Sequence, residues 1–284
     1  MNDALLRIAV TGVTGRMGKR IIQCIIVEGG KKISREIILG AAIARSNSSV
    51  CGMDVGKLMK TDTLGITVTD DLELVKDDFD VLVDFTAPSI SMEYLKFCAN
   101  NNKNIVIGTT GFNQAHKRFI INASQKIGIV FSSNFSIGIA LISRLLHKIT
   151  HIMGNNSDIS IVEAHHNKKR DIPSGTALMM QNTIVNALRS VRSNKVMDCD
   201  VDYTTYSSST SSDRDVLIHS IRAGNIIGEH TVLFIGPEER LEITHKASDR
   251  IIFASGALHS AIWLGRDKIG LFDIGDTLEI NTLL

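Results

Sequence analysis

Sixteen residues, "EAHHNKKRDIPSGTAL" from Glu163 to Leu178, gather two histidines, three consecutive cations, an aspartate, a proline and a Ser-Gly-Thr run. Imidazole titrates near neutral pH, so one of His165 and His166 can serve as acid, base or hydrogen-bond donor. Lys168, Lys169 and Arg170 follow at once with positive charge. "DIPSGTAL" then reads as a helix start: Pro173 is tolerated in a first turn, Ser174 and Thr176 can cap it, and the Gly175 N–H is left free. A helix N-terminus beside lysines is a carboxylate or phosphate site. The stretch predicts proton transfer on a small anionic molecule. Metal binding is not expected, because neighbours in a strand face opposite sides and no ligand set has zinc spacing.

A second chemical signal lies near the start. "GVTGRMG" spaces Gly12, Gly15 and Gly18 as G-x-x-G-x-x-G between the β-rich "RIAVTG" and the helical "KRIIQCIIVEGG". Glycine lets backbone approach a pyrophosphate, and the helix end supplies N–H donors and partial positive charge. Arg16 adds a full cation inside the turn. The next apolar run, "ILGAAIAR", ends in Ala44 and Arg45, where a carboxylate would grip ribose hydroxyls. A cation without a competing acid suits a 2′-phosphate, so NADPH is expected over NADH.

These signals need a scaffold. "FDVLVDFTAPS", "KNIVIGTTGF" and "KIGIVFSSNF" are further strands alternating with helical segments, the pattern of a parallel sheet covered on both faces. Beyond Asn134 the pattern changes. "IGIALISRLLHKITHIM" reads as a helix in which Leu141, Leu145, Ile149 and Ile152 recur at helical spacing, and Arg144, His147 and Lys148 rule it out as a membrane span. "DISIVEAHH" alternates as a strand, and the next helix carries Ala177, Met180, Ile184, Ala187 and Val191 on one face. "TTYSSSTSSDRD", Thr204 to Asp215, is a low-complexity loop. "VLIHSIRAG", "EHTVLFIG" and "RLEITHKA" read as consecutive antiparallel strands, and "RIIFASGALHSAIWL" as a helix.

The fold class expected is α/β: a Rossmann-type doubly wound parallel sheet plus a central α+β domain with an open mixed sheet. Lys and Arg number 31 against 30 Asp and Glu, which leaves no electrostatic footprint for nucleic acid or an anionic membrane. Four cysteines without a C-x-x-C pair speak against disulfides and point to a reducing cytoplasm. No basic leader with a long apolar run opens the sequence.

Together, "E-A-H-H-x-x-K-x-D-x-P-S-G-T-A" over Glu163 to Ala177, "GVTGRMG", "VDFTAPS", "VIGTTGF", "SSNFSIG", "RAGNIIGEH" and "ERLEITHKASDR" resemble the dihydrodipicolinate reductases, over nearly the whole chain. The resemblance implies a cytoplasmic homotetramer. Residues 1–134, completed by 247–284, would bind the dinucleotide, and 135–246 would bind substrate and build the tetramer. It implies NAD(P)H-dependent reduction of a cyclic dicarboxylate in the diaminopimelate route to lysine. By position, His165 would be the acid/base residue and Lys169 the proton donor. His166, Ser174, Gly175 and Thr176 would hold substrate carboxylates, with Arg240 a further candidate. Gly12, Gly15, Arg16 and Met17 would lie at the pyrophosphate and Arg45 at the adenosine end. Gly108, Thr109 and Thr110, with Ser132, Ser133, Asn134 and Phe135, would line the nicotinamide side. No metal is implied. Two departures stand out: the family's acid is missing at Ala44, and a glycine-rich stretch is replaced by the Ser-rich loop. A dinucleotide-sensing regulator would have no use for the histidine-lysine cluster, and another Rossmann reductase is separated from this reading only by the full signature.

Overall fold

The computed structural model describes residues 5–29, 37–193 and 216–278. In chain order the elements are β1 (Leu6–Thr11), α1 (Arg16–Gly29), β2 (Ile37–Ile43), α2 (Val55–Met59), β3 (Val68–Thr69), β4 (Val81–Asp84), α3 (Pro88–Asn100), β5 (Asn104–Ile107), α4 (Gln114–Ala123) and β6 (Gly128–Phe131). There follow α5 (Ile137–Met153), β7 (Asp158–His165), α6 (Gly175–Ser193), β8 (Leu217–Arg222), β9 (Glu229–Ile235) and β10 (Arg240–Lys246). The last are α7 (Ile251–Leu264), β11 (Gly270–Phe272) and α8 (Ile274–Thr277). Two compact units result: one runs to Ile137 and resumes at Arg250, and the other is Gly138–Asp249.

The first unit holds a seven-stranded sheet in the order β11-β6-β5-β4-β1-β2-β3. Its pairings are all parallel. Strands buried on both faces read as continuous apolar runs, and "VLVD" and "NIVI" in β4 and β5 are buried at every position. The chain leaves β1 toward β2 and β3, then returns to β4 on β1's other side, so the order reverses between β1 and β4. Ligands of open α/β sheets bind at such a reversal, beyond the carboxyl ends of the strands. The returning α7 lies against α1. Its Gly256 is required on another side, where a Cβ would fall 1.8 Å from the Phe135 carbonyl oxygen.

The second unit holds a four-stranded sheet in the order β10-β9-β7-β8. Here one expectation is corrected. β9 and β10 form the antiparallel pair, but β8 joins the far side of β7 in parallel. A parallel neighbour needs a long crossover, and α6 supplies it. β7, with most of its positions buried, takes the centre.

α5 forms over the stretch expected to be helical. Leu141 and Ile152 are exposed, at 41% and 81%, and the buried face carries Ile139, Ile142 and Leu146 instead. These pack with Ala177, Met180, Ile184 and Leu188 of α6 and with Ile161, Val232 and Phe234 of the sheet. Arg144, His147, Lys148 and His151 form a polar stripe, but the apolar arc opposite it is wider than the part that is buried, so periodicity offers competing apolar stripes. The inward face includes Ser143, whose hydroxyl pairs with that of Thr183 at 3.4 Å. The α6 stripe is as expected at Ala177, Met180, Ile184 and Ala187. The Ser-rich stretch 204–215 lies outside the described residues.

Candidate active site

In β7 side chains alternate, so Glu163 and His165 share one face while Ala164 points away. Their face is the one that α5 and α6 cover. Across the ladder Glu163 pairs with His230 of β9 and Ser220 of β8, and His165 with Arg222. Glu163, His165 and His230 are all buried. A buried carboxylate needs compensation, and Arg222 gives it with a two-pronged grip, 2.7 Å to Oε1 and 2.9 Å to Oε2. Oε2 also forms a short hydrogen bond with His165 Nδ1. Burial alone would raise the Glu163 pKa, but Arg222 and His165 outweigh it and hold the carboxyl down at about 2.

An ionised Glu163 accepts from Nδ1–H, so Nε2 of His165 is the unprotonated nitrogen. That nitrogen faces Gly228, where a Cβ would sit 3.1 Å away. Burial lowers the His165 pKa, Glu163 opposes this, and the charges of Lys169 and Arg222 lower it further. At neutral pH the imidazole is therefore a neutral base with a fixed tautomer. The His230 ring stands edge-on to it, centroids 5.1 Å apart.

After His165 the chain turns tightly, with Lys169 N–H donating to the His166 carbonyl at 3.1 Å. This turn returns Lys169 toward the imidazoles. Its Nζ lies 2.6 Å from the exposed Asp171 carboxylate. His166 keeps a buried Nδ1 with no hydrogen-bond partner among the described residues. Ser174 caps α6, its hydroxyl accepting from Ala177 N–H at 3.2 Å and pairing with His230 Nε2 at 3.0 Å. Its own N–H donates to Glu163. Pro173 thus precedes the cap and lies outside the first turn where it was expected. Gly175 opens the helix with open space where a Cβ would be, so packing does not demand glycine there. Neutral imidazoles, a lysine and an accessible helix N-terminus meet at one end of the sheet.

Glu163, His165 and His230 also bring one ligand atom each within 4.8 Å of one another, a spacing a cation would accept. Arg222 already holds both Glu163 oxygens, which arranges the set for proton transfer.

In the first unit the glycine turn links β1 to α1. Gly12 has φ +60, and a Cβ on Gly18 would lie 2.4 Å from the Gly12 carbonyl oxygen. The turn closes only with glycine, and the first N–H groups of α1, at Arg16 and Met17, head into the space beyond the sheet. Arg16 is exposed. Gly108 lies under Phe85, where a Cβ would be 2.1 Å from the ring, and Thr109 is buried with Thr110 exposed beside it. Ser132 and Asn134 brace one turn, Ser132 Oγ donating to the Asn134 carbonyl at 2.9 Å. Ser133 is exposed there. Phe135 is a core residue against Phe85, so only its backbone can line a site. These turns fit a dinucleotide: a cradle that a Cβ would fill, at the sheet's reversal point.

The sequence profile for the N-terminus of dihydrodipicolinate reductase matches residues 6–135, and that for its C-terminus matches 138–278. The chain belongs to the dihydrodipicolinate reductase family. It is 72% identical to the 4-hydroxy-tetrahydrodipicolinate reductase of Blochmanniella pennsylvanica (strain BPEN), over 100% of both chains. It is 51% identical to that of Blochmanniella floridana, over 97% of this chain and 100% of the relative. Among solved structures, the dipicolinate-bound dihydrodipicolinate reductase from Paenisporosarcina sp. TG-14 has a TM-score of 0.69 at 24% identity, covering 95% of this chain and 97% of that one. The likeness is one of fold. As an oxidoreductase of this family the protein uses a nicotinamide nucleotide.

One candidate is not brought to the cluster. The register aligns Arg240 with Ile235 and so with Asp158, at the opposite end of β7 from His165, roughly 23 Å along the strand. Its Nε pairs with Glu242 at 2.7 Å in an exposed setting. Within this unit Arg240 therefore stands apart from the cluster. Arg45 is exposed directly after β2, beside the buried Ala44. Three members of the cluster were not anticipated: Glu163, Arg222 and His230. The E-x-H spacing in an apolar strand was the available signal, since a buried carboxylate requires a cation from elsewhere.

Burial, then the nearby charge of His165, push the His230 pKa down to about 4. An unfolded histidine titrates near 6.5, so between about pH 6.5 and 4 the folded chain binds fewer protons and loses stability as pH falls. His230 alone is expected to cost about 3 kcal/mol across that window. Urea unfolding at pH 7 and 4.5 should show a steeper acid loss in the wild type than in His230→Gln. Equal slopes would overturn the assignment.

Proposed function

We propose that the protein reduces 4-hydroxy-tetrahydrodipicolinate to tetrahydrodipicolinate, within the diaminopimelate route to lysine, through the cluster at the end of β7 and α6. The observation that carries this is the Glu163–His165 hydrogen bond with Lys169 and the open α6 N-terminus beside it. A cyclic dicarboxylate needs charge neutralisation and a proton source, and both are present. Lys169 neutralises the dianion and donates a proton to the ring. His165, held by Glu163, acts as acid/base through Nε2. His166, with its unpartnered Nδ1, the Ser174 hydroxyl, and the Gly175 and Thr176 N–H groups receive the carboxylates.

The bound nicotinamide would supply hydride. Gly12, Gly15, Arg16 and Met17 would hold its pyrophosphate, Gly108 to Thr110 and residues 132–135 would flank the nicotinamide side, and Arg45 the adenosine end. With Ala44 buried in place of an acid and Arg45 exposed beside it, NADPH is preferred over NADH. We assign dinucleotide binding to the first unit, and substrate binding and tetramer formation to the second. Leu217, Ile221 and Ile235 lie exposed on the uncovered sheet face, which supports association through that face, and a stable monomer by light scattering would refute it. No helix among the described residues is long and apolar enough to cross a membrane. We place the enzyme in the cytoplasm.

The test is nucleotide oxidation by purified protein, with the ring substrate generated in situ by a coupled synthase. Oxidation is expected only with the synthase present, and with a higher kcat/KM for NADPH than for NADH. Oxidation without the synthase would sink the substrate, and preference for NADH would sink the reading of Ala44 and Arg45.

A further inference from the structure

Asp84 closes β4 and is fully buried. Four hydroxyls converge on its carboxylate. Oδ1 accepts from Thr11 at 2.8 Å and Thr86 at 2.6 Å, while Oδ2 accepts from Thr109 at 3.1 Å and from Ser91. A carboxylate offers about four lone-pair sites, and here hydroxyls fill them all. No cation bonds it among the described residues. This differs from the unit's other buried aspartate, Asp80, which Arg7 and Arg266 neutralise.

Placement gives this charge a role. Thr11 ends β1 immediately before Gly12, Thr86 follows β4, and Thr109 sits in the turn after β5. The Thr11 bond crosses from β1 to β4, the point where strand order reverses and a dinucleotide must lie. Ser91 fastens the other side of the carboxylate to α3. The Thr86 N–H also donates to Thr109 Oγ1 at 2.9 Å, linking two of the turns directly. An anion set in such surroundings reaches its neighbours with little screening, and it helps burial raise the Tyr94 phenol to about 12.

We propose that Asp84 is a positioning residue of the dinucleotide site, tying together the chain at Thr11, Thr86 and Thr109 beyond β1, β4 and β5 and, through its buried charge, favouring the oxidised nicotinamide over the reduced one. The inference rests on the nicotinamide site proposed above. When a dihydronicotinamide gives up hydride, the neutral ring becomes a pyridinium cation. A fixed negative charge stabilises that product and the transition state leading to it, and needs no rearrangement to do so. The pyrophosphate is common to both forms, so its repulsion from Asp84 cancels when the two are compared.

Asp84→Asn isolates the charge. The amide oxygen can keep the Thr11 and Thr86 bonds, and the amide nitrogen can donate to Ser91 and Thr109, whose hydroxyls turn to accept. Isothermal titration with NADP+ and NADPH separately gives the ratio of the oxidised to the reduced dissociation constant. Asp84→Asn should raise this ratio at least about fivefold. Ser91→Ala keeps the charge but strips one compensating donor, so it should lower the ratio by about twofold. An unchanged ratio in Asp84→Asn, or loss of both forms in equal measure, would overturn the proposal. So would a ratio in Ser91→Ala that rises or stays at the wild-type value, and this arm stands even if the first variant does not fold. Wild-type protein that bound neither nucleotide would remove the cofactor site itself, and this assignment with it.

Discussion

Replacing Lys169 with alanine is expected to lower kcat by at least about a hundredfold at saturating substrate, the range for losing a proton donor. Hydride delivered to the ring must be matched by a proton. Lys169 is the cation that the turn after β7 carries back toward His165, close enough to lower the pKa of that imidazole and of His230. Its partner, Asp171, is exposed and can release it to a ligand at little cost, as surface pairs contribute about 1 kcal/mol or less. Lys169→Arg separates the two roles. It keeps the positive charge that binds carboxylates, but guanidinium does not give up its proton. KM should recover toward the wild-type value while kcat stays low. If Lys169→Ala raised only KM, Lys169 would be a binding residue and the proton would come from elsewhere.

The second large effect falls on Arg222. Arg222→Met leaves Glu163 fully buried with no cation, and breaking a buried pair from one side costs about 3–5 kcal/mol. Urea unfolding at pH 7 should show that loss. The variant also frees Glu163 to take up a proton, and the His165 tautomer then loses its anchor, so kcat should fall with stability. Adding Glu163→Gln should restore much of the stability, because no charge then remains buried, while activity stays low. A loss below about 1 kcal/mol in Arg222→Met would mean that water or another group already compensates Glu163. Failure of the double variant to recover would show that Arg222 acts mainly through packing, since the coupling between two residues in contact is what such a cycle measures.

Much of this was legible before folding. The glycine spacing, the strand-helix alternation to residue 131 and the histidine-lysine-serine stretch are local patterns, and local patterns survive in one dimension. Gly18 illustrates why: its need for glycine arises from a carbonyl six residues earlier in the same turn. The same holds for the Ser174 cap, whose partner is three residues away. Pairings between distant segments were not legible. β8 reads like β9 in alternation, yet only the crossover through α6 makes it parallel to β7. Nor was it legible which part of the apolar arc of α5 meets the sheet, because that arc is wider than the contact it makes. Arg240 was a candidate through the family resemblance alone, and only the strand register shows that it lies at the far end of β7.

What the sequence by itself determined is the family, the two-unit α/β character, and the short loops and helix end that carry the residues proposed to meet substrate. Those depend on backbone conformation and charge within a few positions. What only the tertiary structure decided is which groups hold the chemistry in place. Arg222 is 59 residues from Glu163, His230 is 56 from Ser174, and Thr11 is 73 from Asp84. Buried polar groups must find partners, and partners so far apart in sequence meet only when the sheets that carry them have formed.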